Sequence, residues 1–154
     1  MIALLQRVNS ASVTVSGETI ARIPQGLLVL LGVEKKDDAV TVNRLAEKIL
    51  KYRVFADADD KMNLSVLDIK GSVLMVPQFT LAADTQKGLR PSFSSAADPE
   101  KGFALFAQLI DIMRVKGETM VDGLPADWLQ TGRFGADMAV ELLNDGPVTF
   151  NLTV

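Results

Sequence analysis

Apolar residues follow two different rhythms along this chain. From Ile2 to Val33 they come in short runs rich in Val, Ile and Leu, separated by small turn-forming groups, which is the pattern of strands joined by tight connections. Residues 2–8 and 11–15 read as strand, Ser16-Gly17-Glu18 as a tight turn and 19–23 as the returning strand. Pro24-Gln25-Gly26 makes a second turn before a strand over 27–33. Leu27-Leu28-Val29-Leu30-Leu31 is apolar at every position, so this strand is expected at the centre of a sheet covered on both faces.

After Lys35-Lys36-Asp37-Asp38, which offers an N-cap, the rhythm changes. Val42, Leu45, Ala46, Ile49 and Leu50 fall at i, i+3, i+4, i+7 and i+8, predicting an amphipathic helix whose solvated face carries Arg44, Glu47, Lys48 and Lys51. Asp57, Asp59 and Asp60 lack the central glycine and terminal glutamate of a calcium loop and read as a turn. Residues 72–76 form a further apolar strand interrupted by Pro77, and 82–97 is polar loop. Asp98-Pro99-Glu100 starts a second helix, with Phe103, Phe106, Ala107, Ile110 and Met113 on one face and Gly117 as its expected end.

Gly123, Pro125 and Trp128 show little periodicity, so residues 117–131 read as a surface excursion. Residues 137–143 read as strand, Asn144-Asp145-Gly146-Pro147 as a hairpin turn and 148–154 as the last strand. No repeat, low-complexity tract or linker interrupts the chain. The expected fold class is α+β: a single domain over 1–154, with a mostly antiparallel or mixed β-sheet curled toward a barrel and two packed helices.

Composition narrows the chemistry. Of 154 residues, 48% are hydrophobic, enough to fill a core, while cysteine and histidine are both absent. That excludes disulfides, thiol nucleophiles, Cys/His zinc sites, the Ser-His-Asp triad and any imidazole base. Hydroxyls, carboxylates, amines, backbone amides or the substrate itself must do the work, and no cofactor or metal is called for. Nineteen acidic against sixteen basic residues give a net charge of −3, the wrong sign for coating long stretches of nucleic acid, yet compatible with a short RNA contact. The N-terminus lacks a cationic export signal and no apolar run approaches a membrane span, so a cytoplasmic protein with neither membrane nor DNA as partner is expected.

Two segments interrupt their own strands. In Val76-Pro77-Gln78-Phe79-Thr80-Leu81, proline removes a ladder donor at the end of a buried strand and releases the amides that follow, and free amides can hold an oxyanion. Read alone, the segment is more simply a strand end with Phe79 in the core and Thr80 as an ordinary β-former. The second is Asn144-Asp145-Gly146-Pro147-Val148-Thr149, on its own an ordinary turn signal.

Together these segments resemble the signatures Ser-Gln-Phe-Thr-Leu and Asn-x-Gly-Pro-x-Thr of the D-aminoacyl-tRNA deacylase family. The resemblance extends through Gln6-Arg7-Val8, Gly26 to Glu34, Lys61-Met62-Asn63-Leu64, Leu81-Ala82-Ala83-Asp84, Arg90-Pro91-Ser92-Phe93 and Thr131 to Met138. Two features depart from it. Pro77 replaces the motif serine, as in a related animal deacylase that prefers an L-amino acid and carries Pro-Gln-Ala-Thr-Leu, although Phe79 and Asn-Asp-Gly-Pro-Val-Thr favour the D-specific branch. Residues 115–129 also look longer than expected.

The resemblance implies hydrolysis of the ester joining a D-amino acid to the terminal adenosine of tRNA, with glycine mischarged on tRNA(Ala) as a further substrate. It implies a homodimer in which Gly146-Pro147, in the cis form, enters the partner's pocket and excludes L side chains, braced by Arg7. Gln78, Phe79 and Thr80 are the implied catalytic segment. Asn144, Arg7, Phe134 and Met138 are implied around the substrate, with Phe79 as a stacking platform for the terminal adenine. Lys87, Arg90 and Arg133 would meet acceptor-end phosphates. Since no histidine can deprotonate Thr80, amides around Phe79 and Thr80 with the substrate's ribose 2′-hydroxyl fit better than a covalent route. A non-catalytic module that binds the tRNA 3′ end and a hydrolase of small D-amino-acid esters are the alternatives.

Overall fold

The computed structural model describes residues 1–86 and 88–154; Lys87 lies outside the described residues. Strand β1 (Ile2–Val15) is paired along both edges. Antiparallel β3 (Gly26–Gly32) takes its N-terminal half and antiparallel β2 (Glu18–Ile23) its C-terminal half on one side, and β8 (Ala139–Thr153) runs antiparallel along nearly its whole length on the other. Residues 2–8 and 11–15, expected as two strands, are therefore one strand with register shifts between Gln6 and Ser10.

Beyond β3 lie β6 (Ser72–Pro77) and β7 (Leu129–Thr131), both parallel to their neighbours. Parallel pairing demands long crossovers, and each holds a helix: α1 (Ala39–Lys51) between β3 and β6, and α2 (Pro99–Met120) between β6 and β7. A small hairpin of β4 (Phe55–Ala56) and β5 (Met62–Leu64) fills out the first crossover, and its turn is built on Asp57, which accepts from the amides of Asp59 and Lys61 and from Asn63 Nδ2.

The sheet nearly closes on itself. Its path runs β2-β1-β3-β6-β7, and the seam between β7 and β2 is bridged by a side chain: Gln130 Nε2 donates to Arg22 O at 2.6 Å and its Oε1 accepts from Arg22 N at 2.9 Å. One amide group thus copies the two bonds of a strand neighbour. Alternating side chains then sort into two cores. Val8, Val13, Ile23, Leu28, Leu74 and Val76 fill the barrel interior, whereas Leu5, Leu27, Val29, Leu31, Val73 and Met75 point outward to the helices. This is why the Leu27–Leu31 run is apolar throughout.

Both helices start as expected: the Asp38 carboxylate accepts from Thr41 N and the Asp98 carboxylate from Lys101 N, each at 2.9 Å. Val42, Leu45, Ala46, Ile49 and Leu50 are all buried. At the other edge of the helical layer the Met1 α-ammonium is buried 2.5 Å from Asp37 Oδ1 and 3.3 Å from Glu34 Oε2, a charge taken out of water but paired.

Three local expectations are corrected. Gly117 does not end α2, which continues to Met120; the glycine lies against Trp128, and a Cβ there would come within 2.5 Å of the ring. Residues 117–131 are not a surface excursion throughout, because Trp128 and Leu129 are buried and β7 completes the barrel. Asn144–Pro147 is no hairpin turn: β8 runs through it, and both flanks pair with β1.

Candidate active site

The end of β6 delivers the first group. Pro77 extends the strand by pairing with Leu31, and Gln78 N still donates to Leu31 O at 2.7 Å. The chain then turns into a single 3-10 turn over Phe79–Ala82. Its first donors, the amides of Phe79 and Thr80, meet no backbone or side-chain acceptor among the described residues, as expected at the start of such a turn without a side-chain cap. The amides freed are these two, one residue later than proline alone suggests.

Thr80 is exposed, and its Oγ1 accepts from Gln78 Nε2 at 2.5 Å. No carboxylate or amine among the described residues bonds to that hydroxyl; Asp84 instead pairs its backbone with Ser92 and accepts from Gln86 N. Phe79 is 61% exposed with its ring centroid 5.1 Å from that of Phe93, so it is not a core residue. Phe93 is the aromatic neighbour that local sequence could not single out, since 14 residues separate the two rings. Met138 packs on the barrel interior, and Arg133 N donates to its sulfur at 3.3 Å. Arg90 and Arg133 are exposed.

Phe134 is half-buried against α2. Its ring packs against Phe103 and Phe106 of α2, with centroids 5.6 and 6.3 Å away.

The second group forms on β8. Gln6 pairs with Thr149 and Val8 with Asn144, so Asp145, Gly146, Pro147 and Val148 stand opposite Arg7 alone and form a large bulge. The Gly146–Pro147 peptide bond is cis, and both residues are exposed. Gly146 has φ +122°, and a Cβ there would fall 2.7 Å from Val148 Cγ2 and 3.1 Å from Arg7 Nη2, so only glycine fits. Arg7 reaches under the bulge from the opposite strand. Its Nη1 donates to Val54 O at 2.7 Å, while Nε lies 2.9 Å from Asp145 Oδ2 with its N–H not aimed along the contact, an ion pair without a hydrogen bond. Asn144 Oδ1 accepts from Val148 N at 3.1 Å, and Nδ2 donates to Thr149 Oγ1 at 3.0 Å.

These two groups do not meet within one chain. Arg7 is level with Leu27, and Pro77 with Leu31, so the bulge and the Gln78–Thr80 turn are about 13 Å apart along the strands and three strands apart across the sheet.

Fold and site define a class of protein: a single α+β barrel whose candidate groups are strand-end amides, a hydroxyl and a braced backbone bulge, with no imidazole or thiol. A family model described as D-Tyr-tRNA(Tyr) deacylase matches residues 4–153. Relatives from Shewanella amazonensis and Salmonella typhimurium, both named D-aminoacyl-tRNA deacylase, are 56% identical over 154 residues, covering 100% of each chain. A solved structure described as c-Myc DNA Unwinding Element Binding Protein superposes with TM-score 0.91 at 37% identity, over 100% of this chain and 99% of the other. Another, described as a probable eukaryotic D-amino acid tRNA deacylase, shares the fold at TM-score 0.78 and 18% identity, over 98% of both. The chain belongs to the D-Tyr-tRNA(Tyr) deacylase family and is, with it, a hydrolase of carboxylic esters. No helix among the described residues is long and apolar enough to cross a membrane.

Proposed function

We propose that this protein hydrolyses the ester between a D-amino acid and the 3′-terminal adenosine of tRNA, in the cytoplasm, as a homodimer. The observation that carries the reading is the family match, which runs the length of the chain. The amides of Phe79 and Thr80 are placed to hold the oxyanion that forms as water attacks the ester carbonyl. Thr80 contributes position through its bond from Gln78 and not as a nucleophile, a reading supported by the lack of a base bonded to its hydroxyl among the described residues. The ribose 2′-hydroxyl of the substrate helps activate the water. Phe79, with Phe93 beside it, gives an exposed aromatic surface suited to the terminal adenine, and Arg90 and Arg133 suit its phosphates.

Gly146 and Pro147 act as the chirality filter in the pocket of a second copy. Their separation from Thr80 in one chain supports a site completed across subunits, as does the long β8, which pairs only with β1 among the described residues and exposes Leu142, Leu143 and Phe150. A filter made of backbone overlaps an L side chain and admits a D one. It also admits glycine, so glycine mischarged on tRNA(Ala) is a substrate too.

The deciding experiment charges one tRNA in parallel with the D and L forms of one amino acid, adds enzyme far below substrate and follows released amino acid. Many turnovers of the D ester with the L ester intact are expected. Binding of the tRNA end without turnover would replace this reading with a non-catalytic module. Cleavage of small D-esters at the same rate as of charged tRNA would replace it with a general esterase.

A further inference from the structure

We infer that Asn144 is a positioning residue whose side chain clamps the bulge into the shape that presents Gly146 and Pro147, and that it acts without touching substrate. The inference rests on the proposed deacylase reading for its functional consequence, but the clamp itself is a feature of this chain.

A bulge of four residues opposite one breaks the ladder, so the amides and carbonyls inside it lose their regular partners. Something must replace those bonds if the bulge is to keep one conformation. Asn144 is the last paired residue before the bulge and Thr149 the first after it. The two halves of the Asn144 amide are occupied within this loop: its oxygen takes the Val148 N–H, and its nitrogen donates to the Thr149 hydroxyl. Gln6 Nε2, from the facing strand, reaches the same hydroxyl at 3.5 Å. The side chain thereby closes a ring from entry to exit of the bulge, with Gly146 and Pro147 at its open side. One bond at each end fixes the orientation of the Asn144 amide to its own strand, while a second N–H and a second lone pair stay unused. Arg7 and Asp145 hold the opposite side of the loop. Two independent braces on a four-residue segment are what a rigid filter requires.

Thr149 separates this role from direct binding, because among the described residues its hydroxyl bonds only to Asn144 and Gln6. The test compares Asn144→Ala, Thr149→Val and Thr149→Ser for the ratio of kcat/KM on D- and L-aminoacyl-tRNA. Asn144→Ala is expected to lower that ratio about thirtyfold, the size of two lost hydrogen bonds. Thr149→Val should reproduce much of the loss, Thr149→Ser should retain the ratio, and the Asn144→Ala/Thr149→Val double variant should lose less than the product of the singles. An impaired Asn144→Ala beside a normal Thr149→Val, or an unchanged ratio in both, overturns the inference. Amide hydrogen exchange supplies a readout independent of activity. Val148 N–H should exchange about tenfold faster in Asn144→Ala while Leu152 is unaffected. An unchanged Val148 rate overturns the clamp even if the parent protein proves not to distinguish D from L, an outcome that would by itself remove only the deacylase reading.

Discussion

Phe79 and Thr80 sit side by side at the end of β6, yet opposite outcomes are expected on replacing them. Phe79 presents most of its ring to solvent beside Phe93, so Phe79→Ala should weaken binding of a tRNA 3′ end by about 1–3 kcal/mol with little change in Tm. Equilibrium titration and a thermal melt together check this, since a core phenylalanine would show the reverse pattern. Thr80 has its oxygen bonded by Gln78 and, among the described residues, no base bonded to its hydroxyl. Thr80→Ala should therefore keep substantial single-turnover hydrolysis, within about 1.4 kcal/mol, or tenfold, of the parent. Complete loss of hydrolysis with tRNA binding intact would establish the hydroxyl as the nucleophile. Both residues stand out in sequence through the motif around them. Their surroundings do not: the Phe93 ring and the two free amides follow from how the loop returns and where β6 stops.

At the scale of elements, the barrel is held shut by a side chain. Gln130 replaces a strand-to-strand pair by donating to and accepting from the backbone of Arg22. Gln130→Ala removes two hydrogen bonds and leaves both groups of an edge residue to water. The expected cost is about 1–2 kcal/mol in urea unfolding, with faster amide exchange in β2 and β7 before the rest of the sheet. Equal protection of β2 in parent and variant would show that the seam does not depend on this residue. The helices depend on packing as well as caps: Leu45→Ala in α1 should cost about 2–5 kcal/mol, because it opens a cavity among fully buried neighbours. α1 was legible in sequence to its cap and buried face, since 3.6-residue periodicity and an N-cap are local properties. The end of α2 was not, because Gly117 serves close contact with a tryptophan 11 residues downstream and does not terminate the helix.

The whole molecule should respond to acid in a definite way. Asp38, Asp57 and Asp68 are each held below the usual carboxylate range. For Asp38 the cause is first the Thr41 amide, for Asp57 first the Asn63 side chain and for Asp68 first the Ser65 hydroxyl. A carboxylate that ionises more easily folded than unfolded contributes stability above its unfolded pKa, and that contribution disappears as pH falls through the lowered folded value. Urea midpoints are expected to be flat down to about pH 5 and to fall below about pH 4, with each group contributing modestly because it lies near solvent. A decline that begins above pH 5 would contradict this.

What this sequence determined by itself was whatever a short stretch of backbone decides alone. Hydrophobic period and caps placed both helices, unbroken apolar runs placed the central strands, and the missing histidine and cysteine removed whole classes of chemistry. The motifs around Thr80 and Gly146 pointed to the family through residue order alone. Tertiary structure alone decided that Asn144–Thr149 is a bulge within one strand and not a hairpin, because the same turn-forming residues suit both and only the register of β1 against both flanks distinguishes them. It alone decided that Trp128 and β7 complete a barrel, since three residues carry no periodicity of their own. It also set the bulge and the Gln78–Thr80 turn at different levels of the sheet, a separation that follows from strand order and register, which no segment of the chain contains locally.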